Sequence, residues 1–245
     1  MKHKLLICAL LFVAGCSSQT ISQSAAESSP KQGCDAFVEC ADDAADAGSA
    51  SFKEAYESLN GKENANGKIH RTITIADDHP FLYASEQEVI ERLDDGESFY
   101  LYIGDEKCPW CRAVIETAIA KAAEHGVDEI LYLPIWDDEG NEILRDKYEL
   151  VDGKPVQVSG GTAGYQELLK RFDSVLDSYT LTADDEKEVE VGEKRIYAPN
   201  YFRIEEGGKT ITMVTGIPSD LSDPRAELSE TQLQEMADIF DEFFR

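Results

Sequence analysis

Two cysteines separated by Pro-Trp, Cys108 and Cys111, are the residues of this chain best suited to chemistry. They follow an apolar run, Ser98-Phe-Tyr-Leu-Tyr-Ile103, and precede a long helical pattern from Arg112 to His125. With Cys108 at the helix start and Cys111 one turn in, the sulfurs can approach disulfide distance with little distortion. Pro109 suits the first helical turn, where a missing N–H costs nothing. Cys108 then faces unpaired amides and the positive end of the helix, which stabilise a thiolate. Lys107 and Arg112 add local positive charge, partly cancelled by Asp105 and Glu106. The chemistry this suits is thiol–disulfide exchange with protein thiols and disulfides, and it requires no cofactor. Cys108 attacks a substrate disulfide, or the oxidised pair accepts a substrate thiol, and Cys111 resolves the mixed disulfide. The Pro109-Trp110 dipeptide leaves reduction, oxidation and isomerisation all open.

The elements that must hold this pair can be read on either side of it. Glu129-Ile-Leu-Tyr-Leu-Pro-Ile135 reads as a second buried strand, so strand, helix and strand form a βαβ unit. Upstream, Phe52–Leu59 has helical spacing, Ile69–Ile75 alternates like a strand, and Phe81–Tyr83 is a short extended piece. Ser85-Glu-Gln-Glu88 is a capping box opening a helix to about Asp94. Downstream, Leu150–Val156 reads as a hairpin, Tyr165–Leu176 as an amphipathic helix and the charged stretch Asp184–Glu193 as a solvated loop. Asn200–Ile204 and Lys209–Val214 form a hairpin across a Gly-Gly turn, and Ser229 opens a C-terminal helix rich in Phe.

The N-terminus reads as an address. Met1-Lys-His-Lys4 is basic, and Leu5 to Gly15 is apolar but shorter than the roughly 20 residues a membrane-spanning helix needs. Residues 1–15 are therefore expected to be a signal peptide. Val13-Ala-Gly-Cys16 resembles the lipobox of bacterial lipoproteins, in which the cysteine carries acyl chains. Each buried methylene of such an anchor contributes about 0.8 kcal/mol. Residues 16–51, poor in large apolar side chains, are expected to be a lipidated flexible tether. Its Cys34 and Cys40 could form an auxiliary disulfide only across a loop, because a continuous helix would separate them by about 9 Å along its axis. The expected location is the extracytoplasmic face of the cell membrane.

Across 245 residues, 23 Lys and Arg stand against 49 Asp and Glu, giving a net charge of −26. Such a chain lacks the clustered cations that nucleic-acid phosphates demand, so no nucleic-acid partner is expected. A four-cysteine zinc site from Cys34, Cys40, Cys108 and Cys111 is the metal alternative. It is disfavoured because one pair opens a helix between strands rather than sitting on knuckle turns. His70, His79 and His125 show no ligand spacing, and no metal is expected. The stronger alternative is a non-catalytic accessory or binding lipoprotein in which Cys108–Cys111 is a structural disulfide, chemically comfortable outside the cell.

Residues 98–135, with Pro199 and the hairpin after it, resemble the thioredoxin superfamily. More narrowly, Tyr56-Glu-Ser-Leu-Asn-Gly-Lys62, Cys108-Pro-Trp-Cys-Arg112 and Gly192-Glu-Lys-Arg-Ile-Tyr-Ala-Pro-Asn200 are similar to thioredoxin-like lipoproteins of Gram-positive bacteria. Some of that group are labelled bacteriocin-transport accessory proteins. The resemblance covers about residues 52–245. It implies an α/β domain with a central mixed sheet flanked by helices, and an insertion over 136–194 before the strand that a cis-proline opens. It also implies that Ala198 and Pro199 leave backbone groups free for a substrate chain and keep metal from the thiols. Trp110 would either stack on that chain or cover the sulfurs. A membrane-borne redox donor is the expected partner. Tyr102 stands where thioredoxin carries a buried acid, so Glu106 or water must take the proton of Cys111.

Overall fold

The computed structural model describes residues 51–245 except positions 138, 184 and 185. The expected signal peptide, lipidated Cys16 and the Cys34 and Cys40 pair lie outside the described residues. Described residues contain no helix long and apolar enough to cross a membrane.

Residues 51–57 form helix α1. A five-stranded mixed sheet follows, built from β1 (Phe81–Tyr83), β2 (Phe99–Gly104), β3 (Ile130–Pro134), β8 (Asn200–Glu205) and β9 (Thr210–Val214). Its spatial order is β1-β3-β2-β8-β9. The first three strands run parallel, and β8 and β9 are antiparallel to their neighbours. Helices α2 (Glu86–Asp94), α3 (Pro109–Glu124), α4 (Ala163–Phe172) and α5 (Glu230–Phe243) complete the frame. The sheet has apolar cores on both faces. One joins α1, α3 and α5 through Phe52, Tyr56, Val114, Ala118, Met236 and Phe240. The other joins α2 and α4 through Val89, Leu93, Leu168 and Phe172. Because side chains alternate along a strand, β2 sends Tyr102 to the first core and Leu101 and Ile103 to the second.

Between β3 and β8 the chain forms two separate strand pairs. These are β4 (Lys147–Val151) with β5 (Lys154–Ser159), and β6 (Asp177–Thr182) with β7 (Glu188–Arg195). Asp152 and Gly153 both have positive φ at the first turn, the backbone a tight two-residue hairpin requires.

Two expectations fail here. The charged stretch Asp184–Glu193 is not a solvated loop along its length, since β7 begins at Glu188. Its Glu-Val-Glu-Val alternation suits a strand whose carboxylates face water. Ile69–Ile75 is not a strand either, although its alternation is real: Ile73 and Ile75 are buried while Thr72 and Thr74 are exposed. Ile69 and His70 pair backbone to backbone with residues 61–63, and beyond them side chains satisfy the backbone instead of a neighbouring strand. Asn60 bonds both the N–H and C=O of Ile73, the Ile75 N–H donates to Glu57, and the Thr74 N–H donates to Glu116. The apolar period was therefore a guide to burial and not to pairing. Helix α4 also ends at Phe172, short of Leu176.

Candidate functional site

Strand β2 ends at Gly104, and four residues later Cys108 caps α3, with Pro109 in the first turn. The connecting loop is stapled. Asp105 accepts from the Lys107 N–H (2.7 Å) and from the Trp136 indole N–H (2.8 Å), and the Cys108 N–H donates to the Asp105 carbonyl (3.1 Å). Trp136 in turn lies beneath the ammonium groups of Lys107 and Lys147. The nucleophile candidate therefore sits on a fixed turn between a buried strand and a helix start.

The two thiols differ in surroundings. Cys108 is half-buried and Cys111 is fully buried. A hydrogen bond with Cys111 is the largest influence lowering the Cys108 pKa, and burial opposes it. The Cys111 and Trp110 amides at the helix start lower it further, and the Asp105 carboxylate pushes it back up. Cys111 is driven the other way. Burial raises its pKa well above the ordinary range, the neighbouring Cys108 adds to this, and the Tyr102 hydroxyl offsets part of it. The pair thus shares protons unequally: Cys108 ionises the more readily of the two, and Cys111 keeps its proton and donates it in a hydrogen bond to Cys108.

Beneath Cys111 lies a layer of buried tyrosines. The Tyr56 and Tyr102 hydroxyls are 2.8 Å apart, and Tyr102 stacks between Tyr132 and Tyr201 at 5.4 and 4.5 Å. Burial raises the pKa of all four well above the usual phenol range, so they are neutral at any physiological pH. Gly104 makes room for this arrangement, since a Cβ there would stand 2.1 Å from the Tyr102 hydroxyl oxygen. Glu106, the expected proton acceptor, has its pKa raised first by burial and then by Asp105. A carboxyl shifted upward in this sense is a better general base near neutrality than an ordinary one.

Arg112, expected to add positive charge beside the cysteines, lies inside the protein. Its side chain is fully buried and does not project toward solvent beside Cys108. It donates to the carbonyls of Tyr56 (2.8 Å), Glu106 (3.1 Å) and Arg71 (2.6 Å) and to Asn60 Oδ1 (2.6 Å). A planar guanidinium with five N–H donors can hold four residues at once in this way, which a lysine could not. Its place in the helix gave the signal, because Arg112 shares a face with the buried Ile115, Ile119 and Ala122. Lys107 does remain at the surface, where it pairs with Glu106 at 3.6 Å.

Ala198 and Pro199 meet the thiols from the start of β8. The bond between them is cis, and the Ala198 carbonyl lies 3.6 Å from Cys108 Sγ. Trp110, half-buried, lines a surface groove together with Ala198 and Pro199. Cys108, Cys111, Trp110, Ala198 and Pro199 are thus brought to one end of the sheet, whereas Cys16, Cys34 and Cys40 lie outside the described residues. Among those residues no group of three or more His, Cys, Asp or Glu side chains could hold a metal ion. Sequence reasoning missed Tyr56, Asn60 and the Asp105–Trp136 staple, all of which depend on contacts distant in the chain. No protein-family model matches the chain, and no curated protein does.

Proposed function

We propose that this chain is a thiol–disulfide oxidoreductase of thioredoxin-like fold, in which residues 136–194 form an insertion beside the active site. One observation carries the reading: a half-buried cysteine with a lowered pKa at a helix N-terminus, touching a buried cysteine with a raised pKa one turn on. A disulfide that only staples needs no such asymmetry. In the reductive direction the Cys108 thiolate attacks a substrate disulfide, a Cys108–substrate disulfide forms, and the departing substrate thiolate takes a proton. Cys111 then loses its proton, with Glu106 or water as acceptor, and attacks Cys108 Sγ. This releases the second substrate thiol and leaves the Cys108–Cys111 disulfide, two electrons having passed to the substrate. The oxidative direction is the reverse. The wider proposal is an exported protein, lipid-anchored at Cys16 and re-reduced by a membrane donor, related to the thioredoxin-like lipoproteins it resembles.

Substitution Cys111→Ser tests the reaction by removing the resolving thiol. The reduced variant should accumulate a covalent adduct with a model disulfide at Cys108, visible by mass and reversed by dithiothreitol. Cys108→Ser should form none. A Cys111→Ser protein that remains unmodified would leave a static disulfide in an accessory protein as the better reading.

A further inference from the structure

Next to the thiols lies an open groove of about 750 Å³. It begins at Trp110 and Pro199, within one peptide unit of the carbonyl that touches Cys108. One wall is apolar, from Ile217, Pro218 and Leu221. The other is the β6–β7 pair, which contributes the exposed carboxylates of Asp177 and Glu188. No Lys, Arg or His lines the groove. Neither carboxylate is engaged in an ion pair with another described residue. Arg195 faces Asp177 across the strand pair, but its guanidinium is held over the rings of Tyr179 and Tyr197 at 4.3 and 4.8 Å. Lys194 is likewise committed, donating to the Leu176 carbonyl at 2.6 Å.

The wall is fixed with respect to the thiol site. The Tyr197 hydroxyl donates to the Ser178 carbonyl (3.1 Å) and accepts from the Thr180 N–H (3.4 Å). Tyr197 lies two residues before Pro199, so the acidic wall and the proline share one short piece of chain.

We propose that this groove receives an extended polypeptide segment carrying Lys or Arg within a few residues of its reacting cysteine. The cations meet Asp177 and Glu188, and an apolar side chain lies against Ile217, Pro218 and Leu221. The proposal rests on the thiol–disulfide reading above and supplies its substrate class. An acidic segment brings like charge to a groove that no Lys, Arg or His lines, which makes the selection one of charge sign. Because both carboxylates are solvent-exposed, the selection acts on the association rate and weakens with salt.

The test uses the reduced full chain and two short peptides that differ only in charge around one cysteine, which is capped as a mixed disulfide with neutral 2-mercaptoethanol. Attack by the Cys108 thiolate forms the Cys108–peptide bond and expels mercaptoethanol thiolate, which takes a proton from water. Cys111 then resolves the adduct. At low ionic strength the cationic peptide should react on the order of tenfold faster than the anionic one. That ratio should shrink toward one in 1 M salt, where the Debye length is about 3 Å. Asp177→Asn with Glu188→Gln should remove most of the preference. Glu54→Gln with Glu242→Gln, an equal change in net charge outside the groove, should keep it. Equal rates for the two peptides in the unsubstituted protein would overturn the proposal, and so would a preference that both double variants retain alike. If the protein reacts with neither peptide nor with hydroxyethyl disulfide, the redox reading fails instead. Binding of the same peptides with serine for cysteine, followed by tryptophan fluorescence, then decides the groove. A charge preference lost in Asp177→Asn with Glu188→Gln supports it, and binding indifferent to charge refutes it.

Discussion

The two faces of the central sheet are built from the same strands yet have opposite characters. Toward α2 and α4 the strands present hydrocarbon side chains, Leu101, Ile103, Leu131, Leu133 and Phe202, with Phe172 stacked on Phe202 at 4.6 Å. Toward α3 and α5 the same strands present Tyr102, Tyr132 and Tyr201 around the buried Cys111. Period-2 alternation is what allows one strand to be scaffold on one side and reactive floor on the other. The lesson is that the floor under Cys111 comes from one face, while the other face reaches the thiol end of α3 only at its rim, through Trp136 and Ala198.

That division can be broken most forcefully from the hydrocarbon side. Phe172→Ala should cost about 3–5 kcal/mol of unfolding free energy in denaturant titration. The rate of Cys108 alkylation in the still-folded protein should be unchanged. Altered thiol reactivity would show that the faces are not independent.

Arg112→Met comes next, removing the guanidinium that holds Tyr56, Asn60, Arg71 and Glu106. Orphaning these buried acceptors should cost about 3 kcal/mol. Arg112→Lys should restore only part of that, because an ammonium lacks the planar fork. A fully stable Arg112→Met protein would refute the stapling role.

Tyr102→Phe should be milder, about 1 kcal/mol in stability, and its signature is chemical. Without the hydroxyl the Cys111 pKa rises further, so resolution of a Cys108 mixed disulfide should shift to higher pH while formation of that disulfide does not. Stopped-flow rates against pH separate the two steps.

The smallest effect is the pH profile of the unsubstituted protein. Because the Cys108 pKa is lowered, its thiolate is populated below the ordinary cysteine value of about 8.5. Iodoacetamide should therefore modify Cys108 with a midpoint below that pH. Cys111, shifted upward, should remain protected until well above it.

How much of this was legible in the sequence depended on whether the determinant was local. The Ser85 and Ser229 caps and the Cys108-Pro109 helix start are written in neighbouring residues, and the structure has all three helices there. The central α/β arrangement followed from strand and helix periods in the same way. Ile69–Ile75 was misread because, beyond His70, its partners are the side chains of Asn60, Glu57 and Glu116, and no periodicity reports those. The position of Arg112 on a buried helical face carried the right signal, which its charge concealed. The acidic wall of the groove was invisible for a related reason. Asp177 and Glu188 look like ordinary solvated charges until the β6–β7 pairing sets them opposite Pro218 and Leu221.

The central claim is that Cys108 and Cys111 interconvert between dithiol and disulfide as part of function. Equilibrating the protein with graded glutathione and dithiothreitol buffers, and counting free thiols by mass after alkylation, measures this directly. The account predicts a single two-electron transition for this pair within the range of known oxidoreductases, about −270 to −120 mV. A pair that stays oxidised until below about −300 mV would be a structural disulfide and would contradict it.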